Sequence, residues 1–367
     1  TVANITATTV TSTNIVNSTQ LFHRNKVHNG SMIISQRYGT TAYTSPNSSK
    51  NYTIDRWAYW SNQASKASVQ QVTDAPVGFY NSAKCTSLAA TTAGNGDWFG
   101  YLTSIEGQDI YDLAQGTANA KNFTLSFYVK SSVTGTWAGA IRAKASSPGR
   151  SYPFNYTISS ANTWERKSIT ISGSTDGTWA TGNSEGMNIW FDLGTGSSFH
   201  QTANQWYSGN ATGSSASPFI AVNGATWLIT GVQLEVGDTA TSFEHRSYGD
   251  EERRCQRYYY RQSAEHQYMR YDCNGQCPSA NGAQFVFSLP VRQRANATIG
   301  YSALGDFYIY ASNLQSKTPT AITLSAGSTK SPMLSFDKSS TFSAGAGAHL
   351  TVPNAEQGHI EFISEIN

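Results

Sequence analysis

The fold class is decided by segments such as Phe123-Thr-Leu-Ser-Phe-Tyr-Val129, in which apolar and polar side chains alternate. The apolar side chains at 123, 125, 127 and 129 share one face of an extended chain, because successive residues of a strand point to opposite sides of a sheet. Trp164-Glu-Arg-Lys-Ser-Ile-Thr-Ile171 and Met187-Asn-Ile-Trp-Phe191 have the same period of two. These segments are therefore predicted to be half-buried β-strands.

The remainder of the chain also favours an all-β fold. Short turns rich in Gly, Asn, Ser and Pro separate the alternating segments, and only Asp250-Glu-Glu-Arg-Arg254 is expected to form a helical turn. Closely spaced strands without intervening helices predict a jelly roll or related β-sandwich rather than a parallel sheet with crossover helices. The lack of a fixed-period repeat argues against a β-helix or a propeller.

Length and composition divide the chain into parts. Its 367 residues are too many for one comfortable core. All nine tryptophans lie at or before Trp227, whereas the remainder is rich in tyrosine, which indicates two different cores. We predict a short N-terminal β stem over residues 1–30, a jelly-roll β-sandwich over 31–247 and a smaller C-terminal β-sandwich over 248–367. A disordered leader is the alternative for the polar residues 1–30.

Charge and cysteine content exclude several classes of protein. A formal net charge of +2 lacks the basic surface that phosphate binding needs, so no nucleic-acid partner is expected. No apolar run reaches the length of a membrane span, so none is predicted. The four cysteines are too sparse for a disulfide scaffold. Cys273-x-x-x-Cys277 is open to three interpretations: a small-loop disulfide, two metal ligands, or, as we prefer, ordinary buried or free thiols.

Common catalytic signatures are missing from the sequence. It contains no phosphate-binding glycine loop, no His-Glu-x-x-His and no Gly-x-Ser-x-Gly. A glycoside hydrolase would need two facing carboxylates. The candidates for such a pair are Asp97, Glu106, Asp109, Glu185 and Asp192. We predict that the protein is not an enzyme, with no catalytic residue, no metal ligand and no cofactor.

A binding site is better supported, because loops carried on a rigid sandwich are common recognition sites. Aromatic rings can pack on the C–H faces of sugars, and amide side chains can bond to their hydroxyls. Two Gly-rich loops carry such residues, and the predicted ligand-binding set is His200, Gln205, Trp206 and Tyr207 in the stretch from Gly194 to Pro218, with Asp97 and Trp98 in the other loop. The alternative for Trp206 is that it folds back to close the end of the sandwich.

Arg56, in Asp55-Arg56-Trp57, also has two interpretations. It could recognise an acidic sugar. An arginine between Asp and Trp more often makes a structural ion pair and a stacking contact, and we prefer this second interpretation.

One junction carries a resemblance to a known family. A strand containing Gln233-Leu-Glu-Val-Gly237 is followed by Cys255-Gln-Arg-Tyr-Tyr-Tyr260, which we interpret as the first strand of the next domain. This arrangement resembles a junction of bacteriophage tail fibres and receptor-binding proteins. Met32-Ile-Ile-Ser-Gln-Arg37 and Tyr52-Thr-Ile-Asp-Arg-Trp57 are similar to the start of the same phage domain.

Further segments extend this resemblance, which covers most of residues 31–300. Leu289-Pro-Val-Arg-Gln-Arg-Ala-Asn-Ala-Thr298 is similar to a segment of the phage C-terminal domain, although Gln293 replaces its usual Met and Ala297 its usual Pro. The predicted jelly roll resembles carbohydrate-binding modules, and Thr163-Trp-Glu-Arg166 is similar to one of their strands.

The resemblance implies a virion protein, located in a tail fibre or on the capsid surface. It would display β-domains that recognise host-surface polysaccharide during adsorption. Homotrimer formation is expected, with other virion proteins bound through the N-terminal stem. A purely structural fibre or a capsid-attached decoration protein without sugar binding is the alternative, and a polysaccharide depolymerase is the third hypothesis.

Overall fold

The computed structural model describes residues 23–46, 49–143, 149–311, 315–338, 342–353 and 358–366. The chain divides into two compact units, Thr1–Arg246 and Ser247–Asn367. The sequence predicts a division between residues 247 and 248. Within the described ranges, no helix is both long enough and apolar enough to cross a lipid bilayer.

The first unit is a sandwich of two antiparallel sheets in its described part. One sheet has the order β1-β4-β5-β13-β7-β10, and the other has the order β12-β9-β8-β11-β6-β3-β2. Its strands are β1 Tyr43–Thr44, β2 Lys50–Tyr52, β3 Trp57–Ser61, β4 Ala67–Val72, β5 Ser82–Ser87, β6 Phe99–Glu106, β7 Phe123–Ser131, β8 Gly135–Ala143, β9 Arg150–Ile158, β10 Glu165–Ile171, β11 Glu185–Asp192, β12 Tyr207–Ser208 and β13 Thr226–Val236. Short 3₁₀ turns cover Gly107–Asp109, Tyr111–Leu113 and Ser197–Phe199.

Aromatic rings fill the space between these two sheets. The Phe191 ring lies 5.0 Å from that of Phe127 and 5.6 Å from that of Trp227, and Trp137 stacks on Trp227 at 6.5 Å. All four side chains are fully buried. Offset and edge-to-face contacts of this kind add to the apolar area that such rings bury. Trp137 and Trp227, together with phenylalanine rings, therefore build the centre of this core.

Residues 23–30 pack against the first unit, which differs from their predicted place in a stem. Val27 belongs to the core between the sheets. The Asn25 side chain donates to the Val232 carbonyl at 3.1 Å and accepts from the Leu234 amide at 3.1 Å. These bonds satisfy buried backbone groups of β13, which gives a physical reason for the packing. The predicted stem residues 1–22 lie outside the described residues.

The segment between the two sandwiches forms a helix, α1, over Tyr248–Gln256. The Ser247 side chain accepts from the Asp250 amide at 3.3 Å and caps its first turn. Acidic side chains in the first turn and basic ones in the last suit the helix dipole. The predicted helical turn at 250–254 lies within α1. The prediction of a strand beginning at Cys255 is wrong, because Cys255 is still helical and β14 begins at Tyr259.

The second unit is a smaller β-sandwich. Its sheets have the orders β14-β23-β17 and β19-β18-β22-β15-β16-β21-β20. The strands are β14 Tyr259–Ser263, β15 Cys273–Ser279, β16 Gly282–Phe287, β17 Thr298–Tyr301, β18 Tyr308–Ala311, β19 Gln315–Lys317, β20 Ala321–Ala326, β21 Met333–Asp337, β22 Gly347–Thr351 and β23 His359–Ile363, with a 3₁₀ turn at Leu304–Asp306. The predicted all-β class, with a jelly roll followed by a second sandwich, is confirmed.

A phenylalanine cluster replaces tryptophan in the second core. Phe336 contacts Phe285 edge-on at 5.3 Å and Phe307 at 6.0 Å. Cys85, Cys273 and Cys277 are free thiols. Burial raises the pKa of Cys273 to about 12, and the nearby Asp272 charge adds to the effect. The structure therefore agrees with the interpretation of Cys273 and Cys277 as free thiols.

Candidate functional site

The candidate site lies on the outer face of the seven-stranded sheet of the first unit. The period of two places Trp57 and Phe191 in the core, whereas their neighbours Ala58 and Trp190 point to the other side of the sheet. Register pairs Ala58 with Leu102 and Leu102 with Trp190. These residues form a small separate apolar cluster against which Trp60 and Trp98 pack.

A cleft of about 180 Å³ opens on this face. Its rim consists of the half-buried rings of Trp60, Trp98 and Phe199 and the exposed Asn210. Its floor consists of the buried Arg142, Trp190 and Thr212. The Trp98 and Phe199 rings meet edge-on at 5.9 Å, and the Trp60 and Trp190 rings lie 6.0 Å apart.

A glycine provides the space for the floor of the cleft. A Cβ atom at Gly100 would lie only 2.1 Å from Cε2 of Trp190. The Trp190 indole can therefore lie across β6 only because this position has no side chain. Gly100 also pairs in register with Trp60 on β3, so the same residue separates two of the cleft tryptophans.

Arg142 is the charged group of the cleft. Its guanidinium carbon lies 4.7 Å from the centroid of the Trp190 ring, in a cation–π contact. The side chain is 2% exposed, and its Nε and Nη1 atoms have no hydrogen-bond partner among the described residues. Burial lowers the pKa of Arg142 to about 10, and the charge of Glu185 opposes this effect. Arg142 therefore remains a cation at neutral pH.

Other polar atoms of the cleft are also buried without a partner in the described part of the chain. They are Oγ1 of Thr212 and Nε1 of both Trp98 and Trp190. Native proteins satisfy nearly all of their buried polar groups, so such a concentration at one cavity needs an explanation. A bound ligand or ordered water inside the cleft would supply the missing acceptors.

Glu185 lies close to Arg142 but is occupied by other groups. Its carboxylate accepts from Ser104 Oγ at 2.6 Å and from Asn188 Nδ2 at 2.8 Å. Asn188 is the register partner of Arg142 on the adjoining strand. Glu185 therefore holds the neighbouring polar side chains in place.

Asp192 positions the long loop that completes the cleft. Its buried carboxylate accepts from the amides of Gly194, Thr195 and Ser217 at 3.0, 2.9 and 2.7 Å. Burial raises the pKa of Asp192, although these hydrogen bonds oppose the rise. Further along the loop, the Thr212 amide donates to the Phe199 carbonyl at 3.0 Å. These bonds hold the loop in the conformation that lines the cleft.

The structure distributes the six predicted binding residues over several places. Trp98 lies on the cleft rim. The adjacent Asp97 accepts from the Gly94 amide at 2.7 Å and from the side chains of Asn62 and Gln63 at 2.9 and 2.7 Å, so its carboxylate organises the loop. His200 is half-buried, and its Nε2 lies 2.8 Å from the Thr195 carbonyl oxygen.

Trp206 lies outside the cleft lining. Its Nε1 donates to the Ser172 carbonyl at 2.7 Å, and its ring contacts Tyr152 at 5.3 Å and Trp179 at 5.6 Å, both edge-on. This geometry matches the alternative in which Trp206 closes the end of the sandwich.

Gln205 and Tyr207 are neighbours of Trp206. Gln205 donates to the Tyr207 hydroxyl, and Tyr207 pairs with Ser151 of β9. Of the six predicted residues, only Trp98 lines the cleft.

Sequence reasoning missed most of the cleft: Trp60, Arg142, Trp190, Phe199, Asn210 and Thr212. A signal for two of these was present. In Met187-Asn-Ile-Trp-Phe191 the core takes residues 187, 189 and 191, so Trp190 is a large aromatic ring on the opposite face. Trp60 stands in the same relation to Trp57 and Tyr59.

Two other candidates from the sequence have structural contacts. Arg56 is buried and donates to the Ser104 carbonyl at 2.6 Å. Glu106 and Glu185 are opposite each other in register, but Glu106 is fully buried and accepts from Gln108 at 2.8 Å. These two carboxylates therefore do not form a solvent-accessible pair. Among the described residues no group of three or more His, Cys, Asp or Glu side chains could hold a metal ion.

No family model matches the chain, and no curated protein sequence matches it. Among solved structures, the chain is similar to the enzymatically active domain of tailspike protein 4 from bacteriophage CBA120. The identity is 16% and the TM-score 0.31, over 58% of this chain and 21% of that chain, so the alignment spans about a fifth of that chain.

The chain is also similar to two carbohydrate-binding modules. One is the family 11 module of a cellulosomal cellulase from Clostridium thermocellum, with 15% identity and a TM-score of 0.28 over 58% of this chain and 100% of that chain. The other is a xylan-binding domain from Paenibacillus barcinonensis, with 12% identity and a TM-score of 0.28 over 55% and 99%. At such low scores, the function has to be argued from the residues of the cleft.

Proposed function

We propose that the first unit binds carbohydrate in the cleft formed by Trp60, Trp98, Trp190 and Phe199. The observation that carries this proposal is the combination of these rings with buried, unpartnered polar atoms around one cavity. Indole and phenyl faces pack on the C–H surfaces of sugar rings, while the amide of Asn210 can both donate to and accept from hydroxyl groups.

The size of the cleft limits what it can hold. Its volume of about 180 Å³ is below the range of roughly 300–1,000 Å³ that is usual for sites of drug-sized ligands. This volume favours one sugar residue, such as a chain end or a side branch. The rest of a polysaccharide would extend over the rim.

The experiment is glycan binding by the purified protein, with wild type compared with a Trp60→Ala, Trp98→Ala double variant. We expect affinity for a bound glycan to fall by about tenfold or more, because two ring faces are removed. Trp164→Ala is the matched control, since Trp164 precedes β10 on the other sheet and its Nε1 donates to Asp74 at 3.1 Å. Equal binding by wild type and the double variant would contradict the cleft as the site.

The biological setting in this proposal is a bacteriophage virion, in a tail fibre or on the capsid surface, where glycan binding serves adsorption to the host. The support is the resemblance of the Gln233–Gly237 and Cys255–Tyr260 segments to phage receptor-binding proteins. Assembly as a homotrimer and attachment to other virion proteins through the N-terminal segment rest on the same resemblance. Light scattering of the purified protein tests the trimer, and a dimer or monomer would contradict it.

We also propose that the protein is not an enzyme. The burial of Glu106 and the bonds to Glu185 and Asp192 support it, since these acids act as structural acceptors. Release of oligosaccharides from a bound polysaccharide would contradict this part and favour a depolymerase. A folded protein that binds no glycan would favour a structural fibre or decoration protein.

A further inference from the structure

Arg142 stands out among the buried arginines of the first unit. Arg150, on the neighbouring strand, donates to Ser208 Oγ at 2.9 Å and to Asp176 at 3.2 Å. Arg142 contacts the Trp190 ring and feels the charge of Glu185, but two of its three guanidinium nitrogens are buried without a hydrogen-bond acceptor in the described chain. A buried cation without hydrogen-bond acceptors is unfavourable, because the protein has removed its hydration without replacing it.

The nearest acid does not provide the missing acceptors. Both oxygens of Glu185 receive hydrogen bonds, from Ser104 and from Asn188. A hydrogen-bond acceptor for these two nitrogens is therefore missing from the described chain, and Arg142 lines the floor of an open cleft. An anion bound in the cleft would lie beside the Arg142 side chain, which lines it.

The chemistry of the donors favours a carboxylate. The planar guanidinium matches the two oxygens of a carboxylate, and this pairing is stronger than a neutral hydrogen bond. The Thr212 hydroxyl lies on the same floor and also lacks a partner. The tryptophans of the rim would pack on the sugar ring that carries the acid.

We infer that the cleft selects an acidic sugar, whose carboxylate binds Arg142 and Thr212 while its ring packs against Trp60 and Trp98. This inference rests on the proposed carbohydrate binding and names its ligand class. Arg142 is then the specificity-determining residue of the site, and the aromatic rim supplies affinity for the sugar ring without regard to charge.

The test uses the full chain and a glycan panel made of matched pairs. Each glycan containing a uronic or nonulosonic acid is paired with its carboxyl-reduced form, which has a neutral alcohol in place of the acid. Sulfated glycans form a third group. Wild type is compared with Arg142→Met, which keeps an unbranched but shorter side chain and removes the charge, and with Arg166→Met as a control. Arg166 lies exposed on the other sheet and donates to the Thr241 carbonyl.

We expect wild type and Arg166→Met to bind one or more acidic glycans about tenfold or more tightly than the reduced partners, as loss of a charge-assisted bond implies. Arg142→Met should bind both members of each pair equally weakly. A thermal melt of each variant shows that it is folded.

Three results would overturn the inference. Equal wild-type affinity for acidic and reduced glycans would remove the selectivity while leaving carbohydrate binding intact. If Arg142→Met still preferred the acidic glycan, Arg142 would not determine the specificity. If wild type preferred sulfated glycans over carboxylated ones, a carboxylate would not be the group that the cleft selects. If folded wild type bound no glycan of the panel, the proposed function itself would fail together with the inference.

Discussion

Two groups of tryptophan in the first unit differ in how their polar atoms are satisfied. Trp206 donates its Nε1 to the Ser172 carbonyl and packs against two rings at the end of the sandwich. Trp98 and Trp190, at the cleft, keep Nε1 buried without a partner in the described residues. An unsatisfied indole alone does not mark a binding place, because Trp137 in the core also has an Nε1 that is unpartnered among the described residues. At the cleft several unsatisfied groups cluster around one cavity, which indicates that something else binds there. Aromatic content in a loop does not separate these two roles.

The largest expected effect is a loss of stability, and it tests the structural role of Trp206. Trp206→Ala should lower the free energy of unfolding by about 3 kcal/mol, because truncating a packed aromatic ring leaves a cavity. Glycan affinity should remain at the wild-type value. Chemical denaturation and glycan titration of the same sample measure both quantities, and a loss of affinity in a stable variant would break the comparison.

The next effect tests the packing of the cleft floor. Gly100→Ala places a methyl group against the Trp190 indole and should cost about 2 kcal/mol of stability, as overpacked sites do. Displacement of Trp190 should also weaken glycan binding. Gly135→Ala is a control for glycine replacement that is free of such a contact, because nothing lies within 4 Å of a Cβ there, although its φ of +122° brings backbone strain. Unchanged binding by Gly100→Ala would show that the floor does not contact the ligand.

A smaller change in the free energy of unfolding, in the opposite direction, is expected when Arg142 is replaced. Replacing a buried cation that lacks hydrogen-bond acceptors by a shorter, unbranched apolar side chain should raise the free energy of unfolding by about 1 kcal/mol. Arg142→Met should therefore melt at a higher temperature than wild type while losing acidic glycans. A large decrease in stability would instead show that Arg142 is needed for the fold, and the distinction between the two tryptophan groups would lose its support.

The smallest effect is a dependence on pH. Arg142 has a pKa of about 10 because burial favours its neutral form. Binding of a carboxylated glycan should be constant around neutral pH and decline as the pH rises through about 10, since the cation is lost while the carboxylate stays ionised. Arg142→Met should show no such decline. Titrations of both proteins in matched buffers measure the difference, and an equal decline in both would assign it to another group.

Strand positions were largely predictable from the sequence, and the cleft was not. Segment 123–129 lies within β7, segment 187–191 within β11, and most of segment 164–171 forms β10. Each of these strands follows from the local alternation of apolar and polar side chains. The cleft combines Trp60, Arg142 and Trp190 from three strands that are far apart in sequence, and their proximity depends on the strand order β8-β11-β6-β3.

The loop prediction shows the same division. The stretch from 194 to 218 was expected to carry the site, and it contributes Phe199, Asn210 and Thr212 to the cleft. The binding residues predicted within it, such as Trp206, have side chains whose chemistry suits sugar binding. Their orientation depends on contacts with β9 and on the carboxylate of Asp192, which composition does not reveal.

By itself the sequence determined the all-β class, the two different cores and most strand positions, because these follow from the period of side chains along one strand. Only the tertiary structure decided which tryptophans are structural and which form a cleft. Register across four strands sets which side chains meet on the outer face of the sheet, and a cation such as Arg142 is recognised as unpartnered only when all its neighbours are known.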